Sequence, residues 1–393
     1  MTDLAPWKLS LAPGAVDNLR ARLHATRWPD ELPDVEWDYG IPLAEVRELC
    51  RQWADEFDFD AFVQRCNRYP QVRGTVHDEA GIETQLHMVH ARSPHPQARP
   101  LLLVHGWPGS VVEFFDVAEA LVDPGTDGTD GTDGGGDNAD AFHLVMPSLP
   151  GYGFSGPTTR SGVDAVAVAG AIDAGMRALG YEEYFVQGGD WGSVVGAELG
   201  RQFPQRVTAV HLTLLNVPAP PKEERDLGLT QRDLADRVAA LDFVRTETGY
   251  QAIQSTKPQT LAYALQDSPA GLAAWIAEKF HTWSDRRSGA STIPVERLLD
   301  NLSVYWFTGT IGSSMRLYYE TLGKARRVRP APVTVPVGHT RYPAEIYKTP
   351  RAWAERELHL VSWVEQPRGG HFPSLEVPDL FVPDLRAFFR RFR

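Results

Sequence analysis

Cysteine is nearly absent from this chain: 393 residues carry two, Cys50 and Cys66. Two thiols make neither a disulfide framework nor a cysteine-based metal cluster, and they suit a reducing cytoplasm. No run of about 18 consecutive apolar residues occurs, so no membrane-spanning helix is expected. The start, Met1-Thr2-Asp3-Leu4-Ala5-Pro6-Trp7, lacks the basic head and apolar stretch of a secretory signal. Positive charge is also scarce. Lys and Arg total 39 against 51 Asp and Glu, a net charge of -12 that argues against nucleic acid or an anionic membrane as partner. Much of that excess is local: Asp123, Asp127, Asp130, Asp133, Asp137 and Asp140 come with no base among them. It therefore carries no functional message. What remains is 42% apolar and 23% charged, an ordinary soluble composition on a chain long enough for a large core.

The chain divides into four stretches. Residues 1–82 are rich in Trp, Pro and acids, with helical periodicity at 14–25 and 43–56, and read as a segment that wraps a larger body. Residues 83–218 alternate strand and helix. Strands are expected at Thr84 to Val89, Leu101 to Val104, His143 to Met146, Tyr184 to Val186 and Val207 to Leu214. Helices are expected at Val111 to Val122, 163–179 and Ser193 to Phe203. Repeated βα units imply a mostly parallel sheet with helices on both faces and ligand sites at the carboxyl ends of strands. Residues 219–330 lose that rhythm after Pro218, Pro220 and Pro221. Helical runs follow at 230–247, 258–266, 270–283, 295–302 and 313–323, an insertion with the position and size of a lid. Residues 331–393 resume the sheet at Val333 to Val335 and Leu358 to Val364, then end on a helix at 379–391.

The Gly-Thr-Asp repeat from Gly125 to Asp133, followed by Gly134-Gly135-Gly136, has the composition of a segment without a core. Its aspartates recur every three residues, yet the spacing fits neither the EF-hand loop nor the glycine-rich nonapeptide repeat.

Gly188-Gly189-Asp190-Trp191-Gly192 joins an expected strand to an expected helix. It has the form of the nucleophile elbow G-x-S-x-G with aspartate in the serine position. A carboxylate there is ionised at neutral pH and needs no base to activate it. It attacks saturated carbon and forms an ester. The stretch alone equally fits a Gly-Asp turn with Asp190 capping the helix. A serine esterase is disfavoured, since the nearest serine, Ser193, lies three residues on.

Two further side chains follow strands in the order of an α/β-hydrolase triad, nucleophile, acid, histidine. His371 sits in Gly369-Gly370-His371-Phe372, and Glu345 in Tyr342-Pro343-Ala344-Glu345. Singly they read as a loop histidine and a solvated carboxylate; the order favours catalysis. The loop His105-Gly106-Trp107-Pro108 is placed to aim the Trp107 amide, with that of Trp191, at an oxyanion. A tight turn that only packs is the alternative, and His105 itself reads as structural.

Together His-Gly-Trp-Pro, Gly-Gly-Asp-Trp-Gly and Arg368-Gly369-Gly370-His371-Phe372 resemble the epoxide hydrolases of the microsomal type. Arg27-Trp28-Pro29, Asn67-Arg68-Tyr69-Pro70, Thr256-Lys257-Pro258, Asp267 to Leu272 and Tyr305-Trp306 extend that likeness over nearly the whole chain. Microsomal members begin with a membrane anchor that this start does not show, so the soluble bacterial relatives are the nearer likeness, and the aspartate-rich repeat looks like a private insertion. The resemblance implies an α/β-hydrolase fold and two lid tyrosines, Tyr250 and Tyr318, that protonate the opening ring. A phenol with pKa near 10 stays protonated at neutral pH and can donate. It implies opening of an epoxide by Asp190, then hydrolysis of the ester by water activated by His371 and Glu345. Trp107, Trp191, Tyr250 and Tyr318 would then line the substrate site. No cofactor or metal is required. Eleven tryptophans and 17 phenylalanines suit an aromatic-lined cleft and an aryl or bulky apolar epoxide. A cytoplasmic homodimer is the default assembly. A dehalogenase of the same fold and a non-catalytic binding protein are the rival readings. The first would need halide-binding groups in place of paired phenols, and the second leaves the five-residue set unexplained.

Overall fold

In a computed structural model that describes residues 3–125, 140–289, 293–324 and 330–393, the chain is organised by one nine-stranded sheet. The strands are β1 (Asp3–Pro6), β2 (Gln71–His77), β3 (Glu83–Ala91), β4 (Arg99–Val104), β5 (Phe142–Ser148), β6 (Tyr184–Gly188), β7 (Val207–Leu212), β8 (Val333–Arg341) and β9 (Leu358–Glu365). Their spatial order is β1-β2-β3-β5-β4-β6-β7-β8-β9. The pairs from β5 through β9 are parallel. The pairs from β1 to β5 by way of β2 and β3 are antiparallel. β4 is central, and Leu101 to Val104 are fully buried, as expected of a parallel strand covered on both faces. The chain leaves β4 for β5 on one side and returns to β6 on the other. That reversal opens a crevice at the carboxyl ends of β4 and β6.

The first stretch adds more than a wrapping. It supplies β1 and β2, which residue patterning did not reveal. β1 is short and ends on Pro6, a residue suited to a sheet edge. β2 carries Gly74, where a Cβ would lie 1.7 Å from the Asp3 carbonyl oxygen; the glycine lets β1 approach. The expected helix at 43–56 is an α-helix Leu43–Arg51 followed by a π-turn Gln52–Glu56. The Gly-Thr-Asp repeat lies, apart from Gly125, outside the described residues.

Between β7 and β8 come the helices Gln231–Glu247, Gly249–Thr256, Pro258–Asp267, Pro269–Trp283, Val295–Thr308 and Ile311–Tyr318. Their starts are well marked. Thr230 and Asp233 form a capping box, Ser268 accepts from the Gly271 amide, and Pro258 and Pro269 sit in first turns. Gly249–Thr256 was not expected, being two turns with few apolar residues. No helix among the described residues is long and apolar enough to cross a membrane.

The N-terminal stretch fastens this helical layer. Trp53 is fully buried, and its indole N–H donates to Ser303 Oγ at 3.0 Å. Arg65 forms a bidentate pair with buried Asp300 at 2.5 and 3.0 Å. Trp53→Ala should lower the unfolding free energy by about 3–5 kcal/mol, and Trp53→Phe by less. Urea unfolding checks this; a Trp53→Ala midpoint equal to the parent's would show that the clamp carries no stability.

Candidate active site

Asp190 follows β6 and begins the helix Trp191–Gln202 with φ 50°, a left-handed backbone that L-residues rarely adopt. Glycines make the turn physically feasible. A Cβ on Gly188 would lie 2.1 Å from the Gly192 carbonyl oxygen, and one on Gly192 would lie 1.9 Å from that of Val104. A Cβ on Gly106 would come within 2.3 Å of the Asp190 side chain. Asp190 makes no cap hydrogen bond to its own helix, so the capping alternative falls away. Its carboxylate turns outward instead. Oδ1 accepts the Trp107 backbone N–H at 2.8 Å, and Oδ2 faces His371 Nε2 at 3.5 Å.

His371 is buried, and its Nδ1 donates to Glu345 Oε1 at 2.6 Å. Glu345, after β8, also accepts the Ile346 amide at 2.7 Å through the same oxygen. Burial pulls the His371 pKa down, but the Glu345 and Asp190 carboxylates outweigh it and hold the imidazole well above its ordinary range. Trp191 begins the helix, where backbone N–H groups lack intrahelical partners. The five residues Asp190, Glu345, His371, Trp107 and Trp191 thus come together.

Tyr250 and Tyr318 approach from the helical layer. Tyr250 stacks on Trp107 at 5.2 Å and meets Tyr318 edge-on at 5.9 Å. Tyr318 stands edge-on to Trp191 at 4.8 Å. Burial raises both phenol pKa values, with the Asp190 charge adding to the effect; both hydroxyls stay protonated. Trp283 closes the aromatic group, 5.2 Å from Tyr250 and 5.0 Å from His371.

Residues 4–114 match the family model described as the epoxide hydrolase N terminus, and 99–288 that of the alpha/beta hydrolase fold. Epoxide hydrolase 1 of Sus scrofa is 33% identical over 98% of this chain and 88% of its own length. A Stigmatella aurantiaca (strain DW4/3-1) relative, also named for epoxide hydrolysis, is 40% identical over 99% and 86%. The solved epoxide hydrolase of Aspergillus niger superposes with a TM-score of 0.84 at 30% identity, covering 100% of this chain and 97% of that one. The juvenile hormone epoxide hydrolase of Bombyx mori gives 0.83 at 30%, covering 100% and 95%. The chain belongs to the epoxide hydrolase family.

In this epoxide hydrolase His105 is structural, as its loop suggested, and Asn301, Tyr305, Glu376 and Lys279 are supporting residues without a local signature. His105 is neutral and fully committed: Nδ1 donates to the Gly106 carbonyl and Nε2 accepts the Leu149 amide. Burial holds its pKa at about 4. Asn301 Nδ2 donates to the Pro108 carbonyl and Tyr305 OH to that of Gly109, so the helix Val295–Thr308 steadies the loop carrying Trp107. Glu376 accepts the amides of Asp285 and Phe372 and braces the His371 loop. Lys279, paired with Glu278, lies over the Tyr250 ring at 4.9 Å. The neighbours of these residues come from distant stretches, which no spacing rule reveals.

A raised imidazole pKa stabilises the fold fully below the unfolded value of about 6.5, and that contribution is lost as pH climbs through the folded value. The unfolding free energy of the enzyme minus that of His371→Gln should therefore shrink above about pH 6.5. Urea unfolding from pH 5.5 to 9 measures it, and a difference that grows with pH contradicts the charge assignment.

Proposed function

We propose that the enzyme hydrolyses epoxides in two steps through a covalent ester on Asp190, beneath a helical lid. The observation that carries this reading is the setting of the Asp190 carboxylate. One oxygen accepts the Trp107 amide, and the other faces His371 Nε2 at 3.5 Å.

In the first step an Asp190 oxygen attacks one ring carbon, the carbon–oxygen bond opens, and Tyr250 or Tyr318 protonates the departing oxygen. An alkoxide is a poor leaving group, and a positioned acid contributes roughly 10²–10⁴ in rate. The two protonated phenols beside Trp107 and Trp191 suit this role. The proton lost by the phenol is restored from the His371 imidazolium. Esterification neutralises Asp190 and removes one of the two charges that keep His371 protonated. The same chemical event that makes the ester thus turns His371 into the base that destroys it.

In the second step neutral His371, held by Glu345, takes a proton from water, and the resulting oxygen bonds to the ester carbonyl carbon. The Trp107 and Trp191 amides receive the oxyanion, each such donor being worth roughly 10²–10³ in rate. Collapse breaks the bond to the alkyl oxygen, which leaves as the vicinal diol. Asp190 returns as carboxylate and His371 as imidazolium, so the proton count closes.

The surrounding Trp107, Trp191, Tyr250, Tyr318 and Trp283 rings favour an aryl or bulky apolar epoxide. A tryptophan after the nucleophile would also suit a dehalogenase, but the paired phenols favour an epoxide.

His371→Gln, mixed with styrene oxide, should accumulate one adduct on the Asp190 peptide by mass spectrometry. Adding Tyr250→Phe and Tyr318→Phe should slow its appearance by roughly 10²-fold or more. An adduct on another residue, or undiminished formation without both hydroxyls, refutes the assignments.

A further inference from the structure

Beside Asp190 lies a cavity of about 20 Å³ whose wall includes Gly106, Glu113, Gln187, Asp190, Thr213 and His371. The lid tyrosines Tyr250 and Tyr318 are not part of that wall. About 10–15 Å³ is enough for one water, provided two to four polar partners meet it. Three are present without a hydrogen bond of ordinary geometry: Gln187 Oε1, Thr213 Oγ1 and His371 Nε2. Gln187, Thr213 and His371 are 2%, 1% and 4% exposed. Orphaned polar atoms at such depth are costly, and their convergence on one small chamber calls for a shared partner.

Backbone geometry places these groups around the turn that carries the nucleophile. Gln187 lies on β6, three residues before Asp190, within a strand paired on both sides. Thr213 follows β7, and its amide donates to the Gly188 carbonyl at 3.1 Å. Its Oγ1 sits 2.8 Å from where a Cβ on Gly189 would stand, so glycine at 189 keeps the hydroxyl against the turn. The fourth group is Glu113, whose carboxyl reaches within 2.3 Å of the Cβ position of Gly109. Burial pushes its pKa up to about 8; His371 lowers it and Asp190 raises it. At neutral pH it is mostly a neutral acid, able to donate or accept a hydrogen bond without placing a second anion beside Asp190.

We propose that this chamber is the station of the ester-hydrolysing water, with Thr213 and Gln187 as its positioning residues and Glu113 completing its hydrogen bonds. The inference rests on the Asp190 ester. Gln187 Oε1 accepts one water proton while His371 Nε2 removes the other. Thr213 Oγ1 holds the oxygen facing the Asp190 carbonyl carbon. The new bond forms from that oxygen to the carbon as one proton passes to His371; the bond to the alkyl oxygen then breaks, and that oxygen takes the remaining water proton as the diol hydroxyl, leaving Asp190 as carboxylate and His371 as imidazolium. Water thereby arrives from the side of the nucleophile away from the phenols, and the epoxide need not vacate its own site to admit it.

Thr213→Val and Gln187→Leu remove the polar atoms at nearly constant volume. Stopped-flow tryptophan fluorescence with styrene oxide, joined to quenched-flow mass spectrometry of the Asp190 peptide, separates ester formation from ester decay. Losing one hydrogen bond to the water should slow decay by about tenfold. Formation should stay within about twofold of the parent, so the ester accumulates in Thr213→Val and Gln187→Leu. Equal losses in both steps mean a merely structural role, and parent-like decay in Thr213→Val and Gln187→Leu overturns the water station. An adduct absent from His371→Gln instead removes the ester reading itself, so the two failures are distinguishable.

Discussion

The backbone turn at Asp190 is the constraint on which the rest depends. A residue at φ 50° costs on the order of 1–3 kcal/mol and persists only where its surroundings over-determine it. Here they do so by close approach. Gly188, Gly192 and Gly106 are each packed so tightly that a single methyl would strike backbone or the Asp190 side chain. Strand β6, the helix after it and the loop after β4 therefore cross almost in contact. Asp190 lifts out of the sheet toward the helical layer and makes no cap hydrogen bond. The parallel order that puts β6 beside β4 delivers the Trp107 amide to one of its oxygens. His371, on the loop following β9, meets the other oxygen, and Glu345, after β8, pairs with the opposite nitrogen of the imidazole.

Charge then supplies timing. His371 stands between two carboxylates, and their combined field outweighs its burial. While both are ionised the imidazole is held as a cation and is no base. On the proposed route, covalent capture of an epoxide would cancel one charge and free the imidazole to act as a base. The phenols have the opposite property: burial raises their pKa values, so their hydroxyls keep their protons. The proposed acid and base are thus separated in space, one in the helical layer and one on a loop after the sheet, as tuning by environment allows.

How much of this was legible in the sequence follows from how local each signal is. The strand, glycine turn and helix around Asp190 are consecutive, so their form is visible in the order of residues alone. Glu345 and His371 are visible because they follow strands in a fixed order. The central strands read clearly because Leu101 to Val104 are buried on both faces. By contrast β1 is a four-residue edge strand, and β2 beside it is largely polar; their pairing depends on Gly74 and on partners across the sheet. Tyr250 lies on a two-turn helix without a periodic apolar face, and Tyr318 is one of two adjacent tyrosines; only likeness to a family singled them out. Glu113, Gln187 and Thr213 are quieter still. In sequence they are a helical acid, a strand glutamine and a threonine after a strand, and they acquire meaning only where β4, β6 and β7 bring them to one chamber.

The account turns on whether oxygen from Asp190, and not directly from water, enters the product. A single turnover with enzyme in excess over styrene oxide in ¹⁸O-labelled water measures this. The ester route predicts a first-turnover diol without label and ¹⁸O in the Asp190 carboxylate, read from its peptide by mass spectrometry. A first-turnover diol carrying ¹⁸O, with Asp190 unlabelled, would contradict it and would leave Asp190 at most a base that activates water.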